Sequence, residues 1–464
     1  MTDTIEIDPA SPAANSRGGK DFSAFLHELR YDDLPDEVRI FARRWLLDLI
    51  GVAAGGVGFD LSRIIRNHAA DHFGPGRHSA RMLFDGRRVS PMGAALAGGM
   101  TIDALDGHDG HKLTKGHVGC GILPALLALS DTGKPVTGEE FLTALVLGYE
   151  IGSRAGIALH RTASDYHTSG AWVAVACAAL GARSLGLSSA KTREAIGIAE
   201  YHGPRSQMMR CIDHPTMLKD GSGWGAMTGV SAAYLAADGF TGAPALTVEN
   251  GGVADLWSDL GERWCIFEQY FKPFPVCRWA QPPVRAILDL REQHGVTAAE
   301  VDRIEVTTFH QSKRLATRRP NSTEEAQYST SFPAAVAMVR GAIGPADITG
   351  ASLNDPEILR LAASMVIDES DTYNAAFPAR RFAHVSLILR DGRRLTSSTT
   401  EASGDPENPA PESEIRTKYH AYATPVLGAT RARAIETAVE ELGATPLDTL
   451  TDLILVAPDK NGDV

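Results

Sequence analysis

Pro91-Met-Gly-Ala-Ala-Leu-Ala-Gly-Gly-Met-Thr-Ile-Asp103-Ala-Leu-Asp106-Gly-His108-Asp109-Gly-His111-Lys-Leu-Thr-Lys115-Gly-His117-Val-Gly-Cys-Gly121-Ile-Leu-Pro-Ala-Leu-Leu-Ala-Leu-Ser130 is the stretch on which the reading of this chain turns. Its flanks, Pro91 to Ile102 and Gly121 to Ser130, are small and apolar, and their apolar positions recur at three- and four-residue spacing, the pattern of core helices. Small side chains let such helices approach closely. Between them, Asp103 to His117 carry three carboxylates, three imidazoles and two ammonium groups. Titratable groups pinned between buried helices have displaced pKa values, and acid/base chemistry is found there.

Working outward, the same helical spacing recurs over Glu37–Ala54, Pro91–Leu105, Gly121–Asp131, Gly138–Leu159, Gly170–Leu185, Ser189–Glu200 and Gly225–Ala237. Ser188 or Ser189 offers an N-cap, and Thr137 with Glu140 has capping-box spacing. At Phe271-Lys-Pro-Phe-Pro275 two prolines in three residues forbid helix and mark a crossover. A helix over Gln281–His294 follows, then a strand over Val301–Phe309. A hairpin comes later, His384–Leu389 and Arg394–Thr399 turning at Asp391-Gly392. Helices over Ser331–Gly341 and Asp355–Met365 lie between them, and helix returns at Glu412–Tyr422 and Ala429–Leu442.

The expected fold is therefore mainly α: a large helical domain built from both chain ends, interrupted by a smaller α+β lid domain. The expected boundaries are a disordered tail over 1–20, helical domain over 21–269, lid over 270–405 and helical return over 406–464. The 464-residue length fits more than one core.

Formal net charge is −12 with no basic block, which argues against nucleic acid as a partner. Five scattered cysteines, odd in number and without a CxxC pair, suggest neither a disulfide framework nor a zinc ribbon and fit the cytoplasm. Met1 to Lys20 has no apolar segment of signal-peptide type. No uninterrupted apolar run approaches the roughly 18–20 residues of a membrane span, so no membrane partner is expected.

Several further stretches carry a resemblance: Ala104-Leu-Asp106 with His117 and Gly121–Leu129; Gly148-Tyr-Glu-Ile-Gly-Ser-Arg154; Leu185-Gly-Leu-Ser-Ser-Ala-Lys-Thr-Arg-Glu-Ala195; Lys219 before a small-residue helix; Phe271–Arg278; and Gly404-Asp-Pro-Glu-Asn-Pro409. In order and spacing the chain resembles the MmgE/PrpD family over about residues 25 to 455. That family includes 2-methylcitrate dehydratase, cis-aconitate decarboxylase and iminodisuccinate epimerase. The resemblance implies a homodimer, a site in the cleft between helical and lid domains, a small anionic polycarboxylate substrate, and no metal or organic cofactor.

It also implies roles. His117 matches the family's site histidine, and a neutral imidazole there can move a proton at carbon. Asp106 matches the first aspartate of the family's Asp-Phe-Asp-Asp run. This chain departs there: Asp-Gly-His-Asp-Gly-His stands in place of the family's Asp-Phe-Asp-Asp-Thr-His, with one more residue before His117. His167 falls at the second site histidine. Lys219 and Lys272 match two site lysines that neutralise substrate carboxylates. Removal of Lys272 is expected to alter kinetics while leaving the fold intact. Cys277 stands where decarboxylase relatives carry histidine and dehydratase relatives often carry cysteine, which tilts the reading toward a hydro-lyase.

The residues alone add His111 as a second acid/base group or a solvated histidine, Arg205 and Arg210 as carboxylate clamps, and Met208 and Met209 as pocket wall or packing. Tyr328 and Phe332 close over a ligand or fill core. The leading expectation is a cofactor-independent hydro-lyase, with decarboxylase or epimerase on the same scaffold as alternatives. Two other classes remain: a metal-dependent lyase using the Asp/His cluster 103–117, and a polycarboxylate-binding protein without turnover.

Overall fold

The computed structural model describes residues 21–459; the expected tail over 1–20 lies outside the described residues. The helical part is laid down first. Helix α1 (Asp36–Gly56) begins with Asp36 and Glu37, whose charges suit the positive end of the helix dipole, and buries all of Trp45 to Gly56. Helix α2 (Asp60–His72) follows after a sharp bend of 92°. Helix α3 (Pro91–Asp103) starts on Ser90, whose hydroxyl accepts from the Gly93 N–H, with Pro91 at the first helical position. Helix α4 (Gly119–Ser130) is buried through Leu129.

Helices α5 (Gly138–Thr162), α6 (Gly170–Leu185), α7 (Ser189–His202) and α8 (Ser222–Ala237) complete this part. Thr137 caps α5 by accepting from Glu140 N, and Ser188, the first of the two candidate serines, caps α7 by accepting from Lys191 N. By length and mean hydropathy α5 would suffice to cross a membrane, but 94% of its most apolar window is buried in the protein's own interior.

The small residues anticipated in α3 and α4 set how closely the helices meet. A Cβ on Gly98 would lie 2.7 Å from Pro124 of α4, and one on Gly99 only 2.5 Å from the Gly223 Cα of α8. Backbone thus meets backbone where three helices converge, and the loop from 104 to 118 emerges from that convergence with both ends fixed.

The α+β part is built around a four-stranded sheet. Strand β3 (Val301–Thr308) pairs in parallel with β4 (Val366–Glu369) on one side and antiparallel with β5 (His384–Leu389) on the other, and β6 (Arg394–Thr396) completes the order β4-β3-β5-β6. The second hairpin strand ends three residues earlier than expected, and β4 was not anticipated at all. Helices α9 (Gln281–His294), α10 (Ser331–Arg340) and α11 (Pro356–Ser364) pack together, with α9 against β5 and α11 against β3. The chain then returns: α12 (Glu412–Leu427) packs along α1, followed by α13 (Ala429–Glu440). A two-residue ladder joins β1 (Gly110–His111) to β2 (Gln269–Tyr270), tying the polar loop to the segment leading into the α+β part.

Candidate active site

The loop that leaves α3 is held shut from several sides. Asp109 carries much of this: its Oδ2 accepts from Gly119 N at 3.1 Å, and its carbonyl oxygen accepts from Nδ1 of His117 at 2.6 Å. On the far side, Lys418 of α12 donates to Asp48 of α1 at 2.7 Å and to the Gly107 carbonyl at 2.6 Å, so the returning helix clamps the loop at the residue after Asp106.

His117 and Asp106 come together as expected. A carbonyl only accepts, so the bond to Asp109 puts the proton on Nδ1 and leaves Nε2 with its lone pair. That nitrogen lies 3.6 Å from Oδ2 of Asp220 and 3.9 Å from Oδ1 of Asp106. Burial, then the charges of Lys272 and His108, push the His117 imidazole well below the usual histidine range, so it is neutral at neutral pH. Its ring stands perpendicular to that of His108, centroids 4.5 Å apart, and His108 turns its Nε2 to Oδ1 of Asp103 at 3.3 Å.

Asp220 was not anticipated from the sequence. It directly follows Lys219 and begins the approach to α8. Ser169 relays between it and the loop: the hydroxyl donates to Asp220 Oδ2 at 2.7 Å and accepts from the His117 backbone N–H at 2.9 Å. Burial and the neighbouring Asp103 push the Asp220 carboxyl up to about 7. A neutral imidazole and a carboxyl that titrates near neutrality therefore face each other, the arrangement that moves a proton between protein and substrate.

The expected lysines are present, though already engaged. Lys272 pairs with Asp106 Oδ1, and both groups are buried. Burial raises the Asp106 carboxyl, but the ammonium groups of Lys272 and Lys219 outweigh it and hold the carboxyl well below its usual range. Lys219 donates to Oε1 of Gln327 at 2.9 Å and lies 4.7 Å from the centroid of Tyr328. Gln327 was not anticipated, although its neighbour Tyr328 was. Besides Lys219, its Oε1 accepts from Asp106 N at 2.6 Å, and its Nε2 donates to the Ala104 carbonyl at 3.1 Å. Cys277, whose backbone N–H donates to the Gln327 carbonyl, is a neutral thiol pushed up to about 12 by burial and by Asp106.

Other expected residues sit elsewhere. His111 is engaged by Glu268 at 2.9 Å and by the Leu113 N–H, so both ring nitrogens are taken. His167 bonds to the Asp165 carbonyl, takes its backbone N–H to His160 Nε2, and stacks on His160 rather than meeting Asp106. Arg205 and Arg210 are exposed and Met209 is half-buried, while Met208 is buried. Both arginine side chains stand in solvent, although the segment carrying them turns inward at Cys211, whose Sγ lies 3.9 Å from Oδ1 of Asp220. Asp103 and Asp106 also diverge, one to His108 and one to Lys272. Among the described residues no group of three or more His, Cys, Asp or Glu side chains converges as a metal ion needs.

Residues 20–262 match the MmgE/PrpD N-terminal domain and residues 274–444 the MmgE/PrpD C-terminal domain. The chain is 24% identical to a cis-aconitate decarboxylase of Aspergillus terreus over 96% of both chains. It is equally 24% identical to proteins of that name from Mus musculus, over 91% of this chain and 90% of the other, and Homo sapiens, over 88% of each. Two domain matches that between them span most of the chain, in the order that produces this helical body and α+β part, place the protein in the MmgE/PrpD family.

Proposed function

We propose that the protein is a lyase that breaks a bond next to a carboxylate-bearing carbon of a small di- or tricarboxylate, using its own side chains for proton transfer. The observation that carries this is the His117 Nε2, unprotonated and 3.6 Å from an Asp220 carboxyl that titrates near 7. Such a pair can take a proton from carbon and return one, while the cations around it stabilise the extra negative charge of an enolate-like transition state.

Decarboxylation is the first reading, because the relatives compared are each named cis-aconitate decarboxylase. Loss of CO₂ beside a double bond shifts the electron pair to a carbon next to another carboxylate, where a proton must be delivered. Dehydration is the second reading, favoured by Cys277: a thiol pushed up to about 12 is a poor proton donor where decarboxylase relatives would carry an imidazole. Epimerisation needs the same carbanion with a different fate. A homodimer, a cytoplasmic setting and independence of metal and organic cofactors belong to the same proposal.

Proton NMR in D₂O with cis-aconitate, citrate, 2-methylcitrate and iminodisuccinate, with and without EDTA, tests it. Loss of a carboxylate establishes decarboxylation, a new vinyl signal from a hydroxy acid establishes dehydration, and exchange with inversion establishes an epimerase. No change in any substrate overturns the reading.

A further inference from the structure

Almost every cation buried around the loop has found an oxygen. Lys272 holds Asp106, Lys418 holds Asp48, and Lys112 and Arg278 share Asp405. Arg381 is the exception. It is 2% exposed, yet Nε, Nη1 and Nη2 all lack a hydrogen-bond partner, and among the described residues no carboxylate lies within ion-pair distance of it. Its neighbour in sequence makes the contrast plain: Arg380 turns outward and pairs with Glu401. A buried guanidinium whose N–H groups have no acceptor is costly.

Its position points the same way. The guanidinium carbon lies 5.1 Å from the ring centroid of Tyr270, the β2 residue paired with Gly110 one step from Asp109. On the loop side stands Lys115, whose Nζ donates to the Leu113 carbonyl at 3.3 Å and lies 3.8 Å from the centroid of the Tyr166 ring, with no carboxylate in ion-pair distance among the described residues. Burial and then the Arg381 charge push Lys115 down to about 8. Lys115 is also one of three non-glycine residues with left-handed backbone among those described, and Lys219 is another. Such conformations cost energy and persist where function selects them.

We propose that Arg381 is the receptor for a substrate carboxylate, gripping it with its two-pronged fork while Lys115 supplies a second positive charge from the loop side. The inference rests on the polycarboxylate-lyase reading above and adds to it: one carboxylate is held here, in addition to the one borne by the carbon at which His117 acts, so the substrate carries at least two. Because Lys272 and Lys219 are already bonded within the protein, Arg381 replaces them as the principal carboxylate anchor.

The test uses the full-length protein and tricarballylate, a saturated tricarboxylate that can neither lose water nor decarboxylate by the proposed route, with turnover of cis-aconitate followed in parallel. Arg381→Met should weaken tricarballylate binding at least ~30-fold by calorimetry, and Arg381→Lys, which keeps the charge but loses the fork, about 10-fold. A receptor role also has a signature that a structural role lacks. Without ligand, Arg381→Met should melt at or above the wild-type temperature, because an unpaired buried charge has been removed, while the ligand-induced rise in Tm disappears. Wild-type affinity in both variants, or a ligand-free loss of Tm in both with binding retained, overturns the assignment and leaves the lyase reading standing. A wild-type protein that neither binds tricarballylate nor turns over any substrate of the panel overturns both.

Discussion

Nδ1 of His117 lies 2.6 Å from the carbonyl oxygen of Asp109, and this one bond decides which edge of the imidazole is free for chemistry. Rotating the ring would cost that bond, so Nε2 stays turned toward Asp106 and Asp220.

We expect His117→Gln to lower kcat by at least ~10²-fold, with tricarballylate affinity and Tm near wild type. A loss under about fivefold, measured on any substrate found active, would move the proton-transfer role to another residue. Because burial and Lys272 hold the imidazole well below its usual value, any limb of wild-type kcat/KM near neutrality should belong to the Asp220 carboxyl, which titrates at about 7. A limb at pH 6.5 that persists in Asp220→Asn would contradict the buried neutral ring.

The Lys272–Asp106 pair changes an expectation drawn from sequence. With both groups buried, removing only the lysine strands a carboxylate, so Lys272→Met should destabilise the fold by about 3–5 kcal/mol rather than leave it intact. Asp106→Asn combined with Lys272→Met should recover most of that in denaturant unfolding and stay inactive. Full wild-type stability in the single variant would show that the pair is not formed.

Asp220 gives a pH dependence with a definite sign. Its carboxyl is raised in the folded protein to about 7, so the folded state holds a proton that the unfolded chain has released. Stability from this group is fully present below the ordinary carboxylate range and is lost as pH rises through about 7. Relative to Asp220→Asn, wild type should therefore lose unfolding free energy between about pH 4 and 7, then run parallel. Comparing the two proteins cancels the contribution of Glu150, which burial also raises to about 7. A pH-independent difference would place the Asp220 proton elsewhere.

Gln327→Ala should cost about 1–3 kcal/mol, since it leaves the Lys219 ammonium and the Asp106 N–H buried without their acceptor. It should also lower kcat/KM about tenfold or more by loosening the carboxylate beside His117. Unchanged kinetics with reduced stability would make Gln327 a structural contact alone.

The helical body was legible because its apolar residues repeat at helical spacing: α3, α6 and α9 begin where Pro91, Gly170 and Gln281 were expected. Strand β4 was not, because Val366–Glu369 is an edge strand with no buried residue and therefore no alternation to read. Helix α2 was missed for a related reason: Leu61, Ser62 and Ala69 are its only buried residues, and Ile64 faces solvent. At the site, His117, Asp106, Lys219 and Lys272 were accessible through the family resemblance. Asp220, Ser169 and Gln327 act through neighbours distant in sequence, and Arg381 is recognisable only by the absence of a partner, which no sequence displays.

Gln327 reaches from the α+β part into the helical body and holds three groups there at once. Any motion that admits a ligand to His117 by separating the two parts must undo those bonds, and undoing them releases the Lys219 ammonium from its acceptor. Opening and electrostatic attraction thus become one event: the door, as it swings, uncovers the charge that draws an anion inward.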